Sequence, residues 1–141
     1  MIVVDTNVMM SFVFGGTDGA AAADLLRKDP EWAAPVILLS ELRNALLGVV
    51  RRGVATSAQV KAMGDDAAHV LGSRIVGVPG GLVIDIALEC GLTAYDAEFV
   101  AVARALGVRL ATLDRQVLRV APDVAVSLRD LGRPGAERSA T

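Results

Sequence analysis

The chain has one cysteine, Cys90, so an intrachain disulfide and a thiolate zinc cluster are both excluded. It has one histidine, His69, which is too few for a histidine-built zinc site and stands beside no nucleophile motif that would complete a serine triad. Long apolar runs are missing too. The uncharged stretch from Thr6 to Thr17 is well short of the roughly 18 apolar residues that span a bilayer, although 53% of the chain is hydrophobic and the mean hydropathy is +0.50. Asp5 leaves no room for a basic segment ahead of an apolar one, so a secretory signal is not expected and the cytoplasm is. There is no basic excess: a net charge of −2 argues against a protein that coats nucleic acid nonspecifically.

The 141 residues are enough for one domain with a substantial core. Cys90, between Leu88 and Leu92, reads as a small buried residue at a helix end, and His69 as a surface residue. Charge is uneven along the chain. Residues 1–96 hold seven Lys/Arg against eleven Asp/Glu, a balance of −4, and residues 97–141 hold seven Arg against five acids, a balance of +2. Arg104, Arg109, Arg115 and Arg119 flank Asp114 in sequence, a weak hint of phosphate contacts set against the simpler reading of solvated arginines.

Hydrophobic periodicity and stop signals divide the chain into short strands alternating with helices. Residues 2–4 read as a buried strand, 8–14 as a helix stopped by Gly15-Gly16, and 20–28 as a helix stopped by Asp29-Pro30. Residues 32–34 read as a short strand, after which Pro35 opens a long helix ending near Arg52-Gly53. Thr56 or Ser57 caps a helix running to about Leu71, and 75–78 is a short strand or extended link. A helix over 81–90 closes at Gly91, and another from Thr93 ends at Gly107. Residues 108–113 form a strand, 116–119 a helical turn and 124–127 a last strand, with 132–141 a frayed tail. This alternation predicts an α/β fold with a central, mainly parallel sheet covered on both faces. Ligands of such sheets bind beyond the carboxyl ends of the strands, the edge where Asp5 and Asp114 fall.

Four acids are awkward as surface decoration: Asp5, Glu41, Asp96 and Asp114. Asp5 and Asp114 follow apolar strands, and each has an ordinary alternative as a helix N-cap. Thr93 to Asp96 fits a capping box, which is compatible with a site because a helix N-terminus also favours a carboxylate. At 100° per residue, Glu41, Asn44, Ala45 and Gly48 share one narrow face, while Leu and Val occupy much of the remaining circumference. That predicts a helix buried on more than one side with a polar stripe facing a cleft or solvent. Asp65-Asp66 and the Asp85/Glu89 pair read as ordinary helix-surface acids. Carboxylates gathered in one cleft raise one another's pKa unless a cation offsets them, and Mg²⁺ takes oxygen ligands while keeping some waters. Such a site predicts a metal-dependent enzyme acting on phosphates, with a bound ion lowering the pKa of its water and acting as a Lewis acid.

The segments Ile2-Val3-Val4-Asp5-Thr6-Asn7-Val8, Leu39-Ser40-Glu41-Leu42-Arg43-Asn44-Ala45-Leu46, Thr93 through Ala103 and Leu110-Ala111-Thr112-Leu113-Asp114 resemble, in order and spacing, the PIN-domain ribonucleases and among them the VapC-type toxins of toxin–antitoxin pairs. The resemblance covers about residues 1–131. It implies a three-layer α/β/α sandwich, endonucleolytic RNA cleavage, and Mg²⁺ or Mn²⁺ held by Asp5, Glu41, Asp96 and Asp114, with Asn7 and Thr112 at supporting polar positions. Asp5 and Asp96 are the preferred direct ligands. Glu41 is read as binding through water or orienting the nucleophile, and Asp114 as completing a second metal position. The resemblance also implies a homodimer, a VapB-type antitoxin partner, and tRNA or ribosomal RNA as plausible substrates. Apolar residues of the helix after Pro35, with Met9, Met10, Phe12 and Phe14, are the expected interaction surface.

Two other classes compete. A haloacid-dehalogenase-like phosphatase also uses a strand-end Asp, but needs a second Asp where this chain has Asn7 and a suitable lysine, and the two lysines, Lys28 and Lys61, lie in no convincing motif. A metal-free interaction module would use the same acids as caps and core-edge polar groups.

Overall fold

The computed structural model describes residues 1–131, so the sequence reading of 132–141 as a tail lies outside the described residues. Five strands, β1 (Ile2–Val4), β2 (Trp32–Pro35), β3 (Ile75–Val76), β4 (Leu110–Thr112) and β5 (Ala125–Ser127), form one parallel sheet in the order β3-β2-β1-β4-β5. Between and after them run α1 (Thr6–Phe14), α2 (Gly19–Lys28), α3 (Ile37–Arg51), α4 (Ser57–Leu71), α5 (Gly80–Cys90), α6 (Ala94–Leu106), α7 (Arg115–Val120) and α8 (Leu128–Leu131). The helices pack in two groups, α1 to α4 against one another and α5 against α6, with the sheet between the layers. This is the α/β sandwich that the alternation predicts.

The chain builds outward from β1 through β2 to β3, then returns to β1's other side with β4 and β5. The reversal between β1 and β4 makes a switch point, where a crevice opens at the carboxyl edge. Register sets what lies there. Val4 pairs with Ala111 and the Asp5 N–H donates to the Ala111 carbonyl at 3.0 Å, so Asp5 comes level with Thr112. Helix α6 precedes β4 and packs on β1, β2 and β4, so its N-terminus, with Asp96 in the first turn, starts from the same edge.

The core explains why these helices hold still. Residues 99–103 of α6 are all buried, and Phe99 is only 1% exposed. Trp32 of β2 is fully buried with Phe12 of α1 edge-on to it, ring centroids 5.5 Å apart at 70°. The sheet edge is held from α4's end: Arg74 donates from its guanidinium to the Trp32 and Val70 carbonyls at 2.9 and 2.8 Å.

Several local expectations shift. Pro35 does not open α3; it ends β2 in register with Val76, and the helix begins at Ile37. Helix α1 starts at Thr6 because Asp5 itself is the N-cap, its carboxylate accepting from Thr6 N–H at 2.7 Å. The strand read over 75–78 shortens to two residues, and α8 follows β5 directly, its Leu128 buried and its Arg129 paired through two bonds with Asp18. Helix α3, expected to be buried on more than one side, fully buries one stripe, Leu38, Leu42, Leu46 and Val49, and leaves Leu47 43% exposed. The expected interaction surface on α1 is mostly internal: Met9 is buried, Phe12 lies against Trp32, and Phe14 is the exposed one. His69 is exposed, and Cys90 is half-buried with its Sγ 3.8 Å from the Val120 carbonyl.

Candidate active site

Asp5 is the most deeply placed acid, 7% exposed at the end of the central strand. Its two oxygens are fixed separately. Oδ1 accepts from Thr6 N–H at 2.7 Å, and Oδ2 accepts from the Thr112 hydroxyl at 2.7 Å. Thr112, fully buried, in turn accepts from Asp114 N–H at 3.0 Å. One hydroxyl therefore ties the end of β4 to the end of β1 and sets where Asp114 leaves the strand. Asp114 then caps α7, its Oδ1 accepting from Gln116 N–H at 2.8 Å and Val117 N–H at 3.3 Å. Asn7 is committed to the same junction, its Oδ1 accepting from Leu113 N–H at 3.3 Å.

Glu41 reaches the site from the second turn of α3. It is half-buried, and its Oε1 accepts from the Thr6 hydroxyl at 2.7 Å. Asn44 of the predicted stripe is exposed, and a Cβ on Gly48 would come within 3.2 Å of Arg52 Nη1, the mobile end of a long side chain, so Gly48 is not the point of close approach for another element. Asp96 sits in α6's first turn, where the Thr93 side chain caps the helix by accepting Asp96 N–H at 3.1 Å.

The electrostatics link all four acids. Burial pushes the Asp5 carboxyl from its ordinary 3.8 up to about 6; the bonds from Thr112 and Thr6 act against that rise, and the Asp96 and Glu41 charges add to it. The Asp96 carboxyl is raised as well, first by desolvation and then by Asp114, with Thr93 opposing. The acids are thus near enough to act on one another. Among the described residues no Lys, Arg or His forms an ion pair with any of the four. Arg104, one of the arginines flanking Asp114 in sequence, is occupied elsewhere, bonded through two nitrogens to Asp123 at 2.9 and 3.0 Å.

This donor set fits a hard divalent cation: it is all oxygen, mutually repelling, and without an ion-pair partner among the described residues to neutralise it. No three His, Cys, Asp or Glu side chains among the described residues converge as a ready-made metal cage. An ion that keeps several waters and takes one or two carboxylates directly suits that spacing better than a closed protein cage.

Sequence reasoning named Asp5, Glu41, Asp96, Asp114, Asn7 and Thr112 but not Thr6, the residue that donates to two of the carboxylates. Its one signal was position, directly after Asp5 at the first turn of a helix. The hydroxyl of Thr112 yields a direct test. Thr112→Val keeps shape but leaves the Asp114 N–H and Asp5 Oδ2 without their partner, and is expected to cost about 1–3 kcal/mol in denaturant unfolding. A value near zero would mean the hydroxyl is not holding this junction.

A family profile described as "PIN domain" matches residues 2–122. Among solved structures, the crystal structure of PAE2754 from Pyrobaculum aerophilum superimposes with a TM-score of 0.75 at 23% identity, covering 92% of this chain and 85% of that one. No curated protein gives a significant match. Among the described residues no helix is long and apolar enough to cross a membrane.

Proposed function

Because the chain belongs to the PIN-domain family, whose members are generally metal-dependent nucleases, we propose that it is an Mg²⁺- or Mn²⁺-dependent endoribonuclease acting as the toxin of a VapBC-type pair. One observation carries the nuclease reading: a buried Asp5 electrostatically coupled to Asp96 and Glu41 at the sheet's switch point, with no ion-pair partner among the described residues. Asp5 and Asp96 would hold the ion, with Glu41 and Asp114 completing the acidic rim. When bound, the ion supplies Lewis acidity and lowers the pKa of water. The chain's own residues do the rest. Asp5 is pinned at both oxygens, so it presents a fixed charge rather than a mobile one. Glu41 offers one oxygen to orient the attacking water and to take up its proton. Asp114, anchored at α7's N-terminus through Gln116 and Val117 N–H, would complete a second metal position.

Nothing in the site favours the dehalogenase-type phosphatase, since Asn7 stands where its second Asp is needed and is spent on Leu113 N–H. The toxin reading draws support from an open groove of about 430 Å³ between α3 and α4. Leu42, Leu46, Val50 and Val60 line it together with Arg43, Lys61 and Asp65, an apolar surface with charges of both signs that suits an amphipathic antitoxin segment. Ile84 and Leu88, 58% and 80% exposed one turn apart on α5, support a homodimer.

The test is cleavage of single-stranded and structured RNA, tRNA and ribosomal RNA among them, by the purified protein. Cleavage should appear with Mg²⁺ or Mn²⁺, vanish with EDTA, and vanish again in Asp96→Asn. Activity that persists in chelator would remove the metal from the reaction. A segment from a neighbouring small gene that failed to suppress cleavage would remove the toxin–antitoxin role and leave the nuclease.

A further inference from the structure

The geometry points to Thr6 as the positioning residue that holds Glu41 in register with Asp5 for divalent-ion binding, an inference that rests on the nuclease reading above. Thr6 alone among the described residues donates to the side-chain carboxylates of two of the four acids: its backbone N–H reaches Asp5 Oδ1 and its hydroxyl reaches Glu41 Oε1, both at 2.7 Å. The two bonds do different work. The first follows from the N-cap geometry of α1 and would be made by any residue with an N–H at this position. The second needs a hydroxyl, and it crosses from α1 to α3 over 35 positions of sequence.

Glu41 needs such a restraint. Its carboxylate sits at the end of three rotatable bonds, on a helix surface, beside a like charge at Asp5. Left free, repulsion would turn it outward and rotamer entropy would favour that. A hydroxyl donating to an ionised carboxylate is a short, charge-assisted bond, roughly twice as strong as a neutral one. It occupies Oε1 and leaves Oε2 without a partner among the described residues, so Glu41 presents a single oxygen in a fixed direction. Residues that orient a metal's ligands in this way typically change affinity by about 10- to 100-fold when removed.

Thr6→Val isolates the hydroxyl, because it keeps the branched shape and the N–H to Asp5; Thr6→Ala serves if the valine packs badly. The readouts are Mn²⁺ affinity of the metal-stripped protein, by electron paramagnetic resonance and calorimetry, and the Glu41 side-chain ¹³C signals of the metal-free protein. Thermal melts establish that each variant is folded. The expected result is Mn²⁺ affinity about 10-fold or more weaker in Thr6→Val, with shifted Glu41 signals before any metal is added, and both restored in Thr6→Ser. Unchanged affinity and unchanged Glu41 signals in a folded Thr6→Val overturn the inference and leave the nuclease reading standing. Equal loss in the serine and valine variants also overturns it, because the methyl group and not the hydroxyl would then matter. Wild-type protein that binds no Mn²⁺ overturns the nuclease reading, and this inference with it.

Discussion

Asp5→Asn should abolish cleavage and yet make the metal-free protein more stable. Replacing the carboxylate removes a charge that the bound ion and the transition state both need, a loss of several kcal/mol, or about 10³-fold in rate. The fold gains for the same electrostatic reason. A rise of the Asp5 pKa from 3.8 to about 6 means that the folded state holds the proton more tightly than the unfolded one. Between those two values the native protein binds more protons, so stability falls as pH rises through that window. Below about pH 4 the penalty is absent; above about pH 6 it is complete, on the order of 3 kcal/mol. Asparagine carries no such penalty. It does weaken the acceptor pair used by Thr112 and Thr6, which offsets about 1 kcal/mol. Metal-free Asp5→Asn should therefore melt roughly 5 °C or more above wild type at neutral pH, and the gap should close on acidification to pH 4. Melts across pH 4–8 in EDTA, with cleavage assays alongside, check both halves. An active variant would end the assignment of Asp5, and a gap independent of pH would mean that its charge is not strained.

Phe99→Ala should be the most damaging single core change near the site. Phe99 is 1% exposed in the middle of α6, the helix that packs on β1, β2 and β4 and carries Asp96 one turn earlier. Truncating a buried phenylalanine removes its transfer energy and leaves a cavity, typically costing about 3–5 kcal/mol. Against a total stability of about 5–15 kcal/mol that is a large share. A drop of roughly 10 °C or more in melting temperature is expected, with weaker Mn²⁺ binding in the surviving folded fraction because Asp96's helix loses its anchor. Urea unfolding measures the energy directly. A cost below about 1 kcal/mol would mean that α6 is held by its flanking alanines and valines instead of by this ring.

Alternation of apolar strands with periodic helices was enough to predict a parallel α/β sheet, because each element's face is written in its own local period. The placement of Asp5 and Asp114 at strand ends followed from the same local reading, since an acid after a short apolar run has few other places to go. Local reasoning misplaced Pro35, which ends a strand, because its fixed backbone angle suits a strand's last residue as well as a helix's first. It overstated the burial of α3, because a helical wheel shows which side chains are apolar and not which faces another element covers. It passed over Thr6, because nothing within 35 positions of sequence says that its hydroxyl meets Glu41. The residue types capable of the chemistry, and the order of elements carrying them, were determined by sequence alone. Only the tertiary structure decided which oxygens of Asp5 and Glu41 are taken and which hydroxyl holds each, because those contacts join strands and helices distant in the chain that register and packing, not local pattern, bring together.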